Sequence, residues 1–281
     1  MTLSDDAALA KELSLSAGRL LLDLRREFGP VDPQDKVRRK ELKDAGDAAS
    51  QAYLAEQLQR ARPGDAVLSE EAKDSSERDG ADRVWIIDPL DGTSEFSQGR
   101  SDWAVQISLW ERGAPGSGFL AAAFSLPAQE ALYVTGAPVA AEVEPLSQRP
   151  LRVVVSRSRP PENFVARMDE IAARLAADGV TDHGVELHYV GSAGAKVGEI
   201  LAGRVDAYVN EGGFWEWDAA APLAVAVDHG MTARHLDGRI IDVNEAFTRI
   251  TGYAREEVLD RNPRFLNSGR QDRAFYAELW R

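Results

Sequence analysis

Val84-Trp85-Ile86-Ile87-Asp88-Pro89-Leu90-Asp91-Gly92-Thr93 is the stretch that decides the reading of this chain. An apolar run ends in an aspartate, a proline breaks it, and a second aspartate follows before Gly-Thr. The run reads as a buried strand that delivers two carboxylates to its C-terminal end, with Gly92 and Thr93 opening a helix. Carboxylates at this spacing on a tight turn suit a hard divalent cation. The N–H groups of Gly92 and Thr93 would face an anion. A metal site beside an anion site is what metal-assisted phosphate ester hydrolysis requires. A turn needs Pro and Gly, but it does not need two carboxylates at the end of an apolar strand.

Composition narrows the classes. The 281 residues suffice for a large core and one or two domains with a further small unit. A formal net charge of -13 disfavours duplex nucleic acid and anionic membranes, where Lys and Arg must neutralise phosphates. An anionic substrate must then be met by metal ions or by local basic residues. There is no cysteine, which excludes disulfides, thiolate metal sites and thiol nucleophiles. The N-terminal residues carry Asp5 and Asp6 and no signal-peptide pattern, and no run approaches a membrane span. These features lead us to expect a cytoplasmic protein.

Working outward from the strand, Ser4-Asp5-Asp6 reads as the start of a helix with a Leu13, Leu20, Leu21, Leu24 stripe ending at Gly29-Pro30. Asp32 to Lys43 reads as a loop, and Asp47 as the start of a second helix ended by Pro63-Gly64. Ala66 to Leu68 is a short strand running into Ser69-Glu70-Glu71, followed by a charged loop from Asp74 to Asp82. After Thr93, strands are expected around Val105 to Leu109, Gly118 to Leu126 and Ala131 to Val134. Ala137 to Pro150 reads as a linker. The second half alternates: a strand at 151–155, one helix from Pro160-Pro161 through Leu175, a strand at 187–190, a helix at 193–201, a strand at 205–209 and a helix at 217–227. The fold class expected is α+β. The division expected is 1–145 (α+β, metal site), 146–237 (α/β) and 238–281 (tail).

Four pieces are candidates for one site: Glu70-Glu71, Asp88 with Asp91, Asp218, and Asp47. An acidic pair after a strand also reads as a solvated loop, and a lone Asp at a helix start as a cap. Taken together, Glu70-Glu71, Asp88-Pro89-Leu90-Asp91-Gly92-Thr93 and Trp217-Asp218-Ala219-Ala220 resemble the three signatures of the inositol monophosphatase superfamily. The Gly191-Ser192-Ala193-Gly194-Ala195-Lys196 segment between them fits too. Pro63 to Glu71, Asp102-Trp103-Ala104-Val105 and Trp215-Glu216-Trp217-Asp218 resemble its actinobacterial-type 3'(2'),5'-bisphosphate nucleotidases. The likeness covers roughly residues 5 to 238. One departure is Asp44, where the family often has a threonine three residues before the aspartate matching Asp47.

The resemblance implies a layered α/β/α/β/α sugar-phosphatase fold with two sub-domains. It implies two or three Mg²⁺ ions. Glu70, Asp88 and the Leu90 carbonyl would hold one; Asp88, Asp91 and Asp218 a second; a third, weaker ion would lie near Glu70. Asp47 and Thr93 would activate the attacking water, with Glu70 the third catalytic side chain, and the amides of Gly92 and Thr93 would hold the phosphate. Gly191, Ser192 and Lys196 are candidates for the rest of the substrate, although Ser192 reads equally as a helix cap and Lys196 as a solvated residue. Trp215, Trp217 and Tyr208 read as core or as the walls of a base pocket. Homodimers are implied by analogy alone.

Asp237 to Arg281 resembles the first part of a PAS sensory domain, through Asp237-Gly238-Arg239-Ile240-Ile241-Asp242-Val243-Asn244-Glu245-Ala246-Phe247, Thr251-Gly252-Tyr253 and Asn262 to Arg270. Ile240, Ile241 and Val243 are expected as a substitute edge strand, and Asn244 to Thr251 and Arg255 to Leu259 as short helices. The function expected is hydrolysis of adenosine 3',5'-bisphosphate to AMP and phosphate. Inositol-1-phosphate or fructose-1,6-bisphosphate is the alternative substrate. A sensory or interaction protein on an inert phosphatase-like platform, and a metal-binding phosphoprotein without turnover, are alternatives of other classes.

Overall fold

Alternation along the central strands builds two cores on opposite faces of one sheet. In the computed structural model, β1 (Ala66–Ser69), β2 (Arg83–Asp91), β3 (Ala104–Glu111), β4 (Phe119–Leu126) and β5 (Ala131–Val134) form a sheet in that order. The β1–β2 pair is parallel and the other pairs are antiparallel. Side chains two apart share a face. Val105, Ile107, Leu109, Ala121 and Ala123 therefore enter one core, with Trp85 and Ile87, beneath α1 (Asp5–Phe28) and α2 (Lys36–Ala61). Ala104, Ala122, Phe124 and Leu126 enter the other, beneath α6 (Ala193–Leu201) and α7 (Glu216–Asp228). The description covers residues 3–72, 78, 80–114, 118–139, 141, 143–211, 214–233, 253–258 and 261.

Small residues set the helix approach. Ser14 on α1 donates to the Val105 carbonyl at 3.0 Å, and Ser125 on β4 donates to the Ser14 carbonyl at 3.0 Å. A buried hydroxyl satisfied in this way lets helix and sheet backbones approach closely without an orphaned polar group. Ser4 caps α1 by accepting from Ala7 N–H at 3.2 Å, and Gly29 ends it at φ 79°.

The second sheet is β7 (Val185–Val190), β6 (Leu151–Ser156) and β8 (Ala207–Tyr208), in that spatial order and all parallel. Helix α6 lies between the two sheets and α5 (Met168–Ala177) lies on β7. The layers thus run α1/α2, first sheet, α6/α7, second sheet, α5, the layered α+β architecture that the resemblance implied. Arg149, buried at the entry to β6, pairs with Asp206 at 2.6 Å, and Asp206 also accepts from Arg152 N–H at 2.9 Å. This ion pair fixes the approach to β8.

Three local expectations are corrected. The segment read as a loop from Asp32 becomes helix at Lys36, because Asp35 caps it by accepting from Arg38 N–H at 2.9 Å. Asp47 is therefore inside α2 and caps nothing. The single helix expected from Pro160 is two, α4 (Glu162–Val165) and α5, because Arg167 leaves helical geometry at φ -109°, ψ 14°. Of the tail, Arg255–Val258 is a short helix, α8, whose Val258 is buried. Ile240, Ile241, Val243 and Asn244 to Thr251 lie outside the described residues. Among the described residues no helix is long and apolar enough to cross a membrane.

Candidate active site

The two aspartates of β2 should point to opposite faces, since strand residues three apart do so. The ladder with β3 prevents this. Asp88 pairs with Gln106, Asp91 pairs with Ala104, and the register shifts between them. Pro89 has no N–H to give, so the irregularity falls there. Leu90 drops into the core under α1 and α2. Both carboxylates thereby reach the side of the sheet covered by α6 and α7. Asp91 accepts from the Gly194 N–H at 2.7 Å and the Ala193 N–H at 3.2 Å, at the first turn of α6, and from the Gln106 side-chain amide. Asp88 accepts from the Leu90 N–H at 3.1 Å, while its other oxygen, Oδ2, is buried without a hydrogen-bond partner.

Glu70 follows the end of β1, next to β2 in the parallel pair, where its residue surface is open to solvent. Asp218 lies in the first turn of α7 and accepts from the Trp215 N–H at 2.9 Å. The four carboxylates feel one another. Burial, then Asp91, Glu70 and Asp218, push Asp88 well above the usual carboxylate range. Partial desolvation of its carboxylate, then Asp218 and Glu71, raise Glu70 to about 7. Burial raises Asp91 to about 6 against the pull of the Gly194 amide and Lys196. Burial raises Asp218 as well. Among the described residues, no three Asp, Glu, His or Cys side chains already stand as a ligand cluster. Asp91 is held by the amides of α6. A buried carboxylate oxygen with no donor, among acids that raise each other's pKa, fits a hard cation completed by water and substrate oxygens.

Asp47, on α2, stands near Glu70 and Glu71. Its pKa is raised to about 7 by burial, Glu71, Glu70 and Asp44. Helix α2 is docked here through Ser50, which donates to the Pro89 carbonyl at 2.7 Å, and Gln51, whose side-chain carbonyl accepts from Ser69 at 2.6 Å. Asp44, the departure from the family pattern, pairs with Lys40 at 2.5 Å on the exposed side. Gly92, at φ 89°, turns the chain into α3 (Thr93–Ser97), so that Thr93 is its first residue. That positive φ is where glycine is needed.

The segment proposed for substrate contacts sits at the same place with other duties. Ser192 caps α6, accepting from Ala195 N–H at 2.9 Å. Gly191 donates to Asp102 at 2.6 Å, and its carbonyl accepts from Lys196 Nζ at 2.5 Å. Lys196 is 3% exposed, not solvated, with its ammonium 5.2 Å from the Tyr208 ring centre. Burial lowers its pKa to about 8, against the pull of Asp91, Glu95, Asp102 and Asp218. The aromatics are not all core: Trp215 is 65% exposed and stacks on Trp217 at 5.4 Å. Sequence reasoning passed over Gln106, Glu95 and Arg157. Arg157 bridges Asp102 at 2.7 Å and Glu95 at 3.3 Å, joining the start of β3 and α3 to the end of β6. The available signal was Gln106 and Ser108, polar residues at every second place of an otherwise apolar strand.

Comparison with known proteins agrees with this geometry. A model of the inositol monophosphatase family matches residues 3–274, well beyond the residue 238 at which the resemblance was expected to end. The chain is 44% identical over 247 residues to a 3'-phosphoadenosine 5'-phosphate phosphatase of Mycobacterium leprae, covering 85% of this chain and 84% of that protein. It is 29% identical to an inositol-1-monophosphatase of Mesorhizobium japonicum, covering 81% and 84%. The crystal structure of CysQ from Bacteroides thetaiotaomicron, a bacterial member of the inositol monophosphatase family, superposes with a TM-score of 0.58 at 24% identity, covering 79% and 85%. The chain belongs to the inositol monophosphatase family.

Proposed function

We propose that this chain is a Mg²⁺-dependent phosphoric monoester hydrolase that removes the 3'-phosphate of adenosine 3',5'-bisphosphate, giving AMP and phosphate. The observation that carries the hydrolytic half is the buried, donor-free Oδ2 of Asp88 among Glu70, Asp91 and Asp218. The substrate half is supported by the 44% identity to a 3'-phosphoadenosine 5'-phosphate phosphatase, against 29% to an inositol-1-monophosphatase. A cysteine-free chain suits work in the cytoplasm.

In this reading Glu70, Asp88, the Leu90 carbonyl, Asp91 and Asp218 would hold two ions, and a third would lie near Glu70. Bound Mg²⁺ supplies Lewis acidity and neutralises charge on the transferring phosphoryl group. The chain's own groups do the rest. The amides of Gly92 and Thr93, following directly on Asp91, hold the phosphate. The Thr93 hydroxyl aligns the attacking water and passes its proton toward Asp47, whose pKa of about 7 suits a base at neutral pH. Gly191, Ser192 and Lys196 border the leaving nucleoside, with Lys196 offering a buried positive charge beside Asp91 and Asp218.

The test is phosphate release from adenosine 3',5'-bisphosphate, inositol-1-phosphate and fructose-1,6-bisphosphate, each with Mg²⁺ and with a chelator. The expected result is fastest release from the first and none with the chelator. Equal rates on all three would overturn the substrate assignment, and chelator-resistant release would overturn the metal.

A further inference from the structure

The second sheet is wholly parallel, so the carboxyl ends of its three strands lie along one edge. Ligands of open parallel sheets gather at that edge. Here three connections leave it together. After β6 come Arg157, Ser158 and Arg159. After β7 come Gly191 and Ser192, leading into α6 with Lys196. After β8 the chain reaches Phe214 and Trp215, then α7 with Asp218. The candidate metal ligands Asp91 and Asp218 already face this edge through the α6 amides and the Trp215 N–H.

The two arginines after β6 differ. Arg157 is committed to Asp102, Glu95 and the Tyr189 carbonyl. The Arg159 backbone N–H is anchored to Ser156 Oγ at 3.2 Å, while its exposed guanidinium has no ion-pair partner among the described residues. It stands close enough to Tyr208, at the end of β8, to oppose the rise that burial gives that phenol's pKa. A free guanidinium beside an acidic basin, in a chain of net charge -13, is placed for an anion that is not the one being hydrolysed. Trp215 leaves the same sheet edge, on the connection after β8. Its indole stacks on Trp217 with an interplanar angle of 10°, and it is 65% exposed. Its backbone is held by the Asp218 carboxylate. A flat, supported aromatic face with an open outer side takes another flat ring.

Resting on the reading of the site as a nucleotide phosphatase, we propose that Arg159 binds the non-reacting phosphate of a bisphosphorylated nucleoside whose base stacks on Trp215. These two residues set the preference for a nucleoside with two phosphates. They take no part in the hydrolytic step.

The test uses the full-length protein with Mg²⁺. The first readout is kcat/KM on adenosine 3',5'-bisphosphate divided by that on adenosine 3'-monophosphate. R159Q should lower this ratio about tenfold, mainly through KM. The second readout is binding of the product AMP and of adenosine, followed by tryptophan fluorescence. Wild type should bind AMP more tightly than adenosine, R159Q should lose that difference, and W215L should weaken both ligands alike and lose the quenching. Circular dichroism and rate on p-nitrophenyl phosphate report whether the variants fold. An unchanged ratio in folded R159Q, or undiminished quenching in W215L, would overturn the inference while leaving the nucleotidase reading in place. A wild-type enzyme that turns over inositol-1-phosphate but neither nucleotide would overturn both.

Discussion

The carboxylate of Asp91 accepts the N–H of Gly194 at 2.7 Å, so the C-terminal end of a strand in one sheet is bonded to the first turn of the helix between the two sheets. The approach is close because residue 194 has no side chain. A Cβ there would sit 2.8 Å from the Ala104 methyl and 3.4 Å from Asp91 Oδ2. G194A should therefore push α6 away and cost about 1–3 kcal/mol of stability, as overpacking does. Urea denaturation measures it, and a neutral result would show that the two elements are less tightly registered than described.

Asp91 is also the member of the carboxylate set with the most bonds to the protein. D91N keeps the shape and removes the charge. At least about a hundredfold should be lost from kcat, equivalent to roughly 2.7 kcal/mol of transition-state stabilisation. Circular dichroism should be unchanged. Steady-state rates with saturating Mg²⁺ check this, and near-normal turnover would remove Asp91 from the metal site.

The acidic basin sets a pH dependence whose sign follows from the shifts. Asp47 and Glu70 are raised to about 7 and Asp91 to about 6. The unfolded chain holds such groups near about 4. A raised carboxylate binds its proton more tightly when folded, so its contribution is fully present below about pH 4 and is lost as pH rises through 6 to 7. Metal-free protein should melt at progressively lower temperature over that interval. Mg²⁺ should raise Tm more at pH 7.5 than at pH 5, since it competes with protons for the same oxygens. Thermal melts with and without a chelator decide it; an Mg²⁺ effect larger at pH 5 would contradict the linkage.

Asp206 behaves oppositely. Burial opposes its charge, but Arg149 and the Arg152 N–H hold its pKa below the usual 3.8. Its contribution is present above about pH 4 and is lost as the pH falls through the lowered value. D206N leaves Arg149 buried without its partner and should cost about 3–5 kcal/mol. Because Asp206 lies at the entry to β8, away from the carboxylates, kcat of the folded variant should stay within about twofold of wild type, a difference of roughly 0.4 kcal/mol in the barrier. Guanidinium unfolding and a rate measurement together check both halves.

How far the molecule could be read from its sequence depended on the kind of signal. β3 declared itself by alternation, β2 and β4 by apolar runs, and α1 by its Ser4 cap and leucine stripe, because those patterns are local. Helix α2 did not: its first turns are Lys, Arg and Glu on an exposed surface, so the cap at Asp35 was the only mark of its start. The break between α4 and α5 left no proline or glycine to betray it. At the site, Asp88 and Asp91 were legible as a motif. That both reach one face depends on a register shift against β3, which is a property of two strands and not of one. Lys196 read equally as a substrate contact and as a solvated residue, because the ring of Tyr208 that covers it comes from the second sheet.

The central claim is that Glu70, Asp88, Asp91 and Asp218 gather around divalent cations. Crystals soaked in Mn²⁺ and phosphate, with anomalous diffraction recorded at the manganese edge, test it most directly. The account predicts a peak within direct coordination distance of Asp88 Oδ2, shared with Asp91 and Asp218, and a second peak between Asp88 and Glu70. Saturating Mn²⁺ with no peak at Asp88, or a peak that neither Glu70 nor Asp218 approaches, would contradict it.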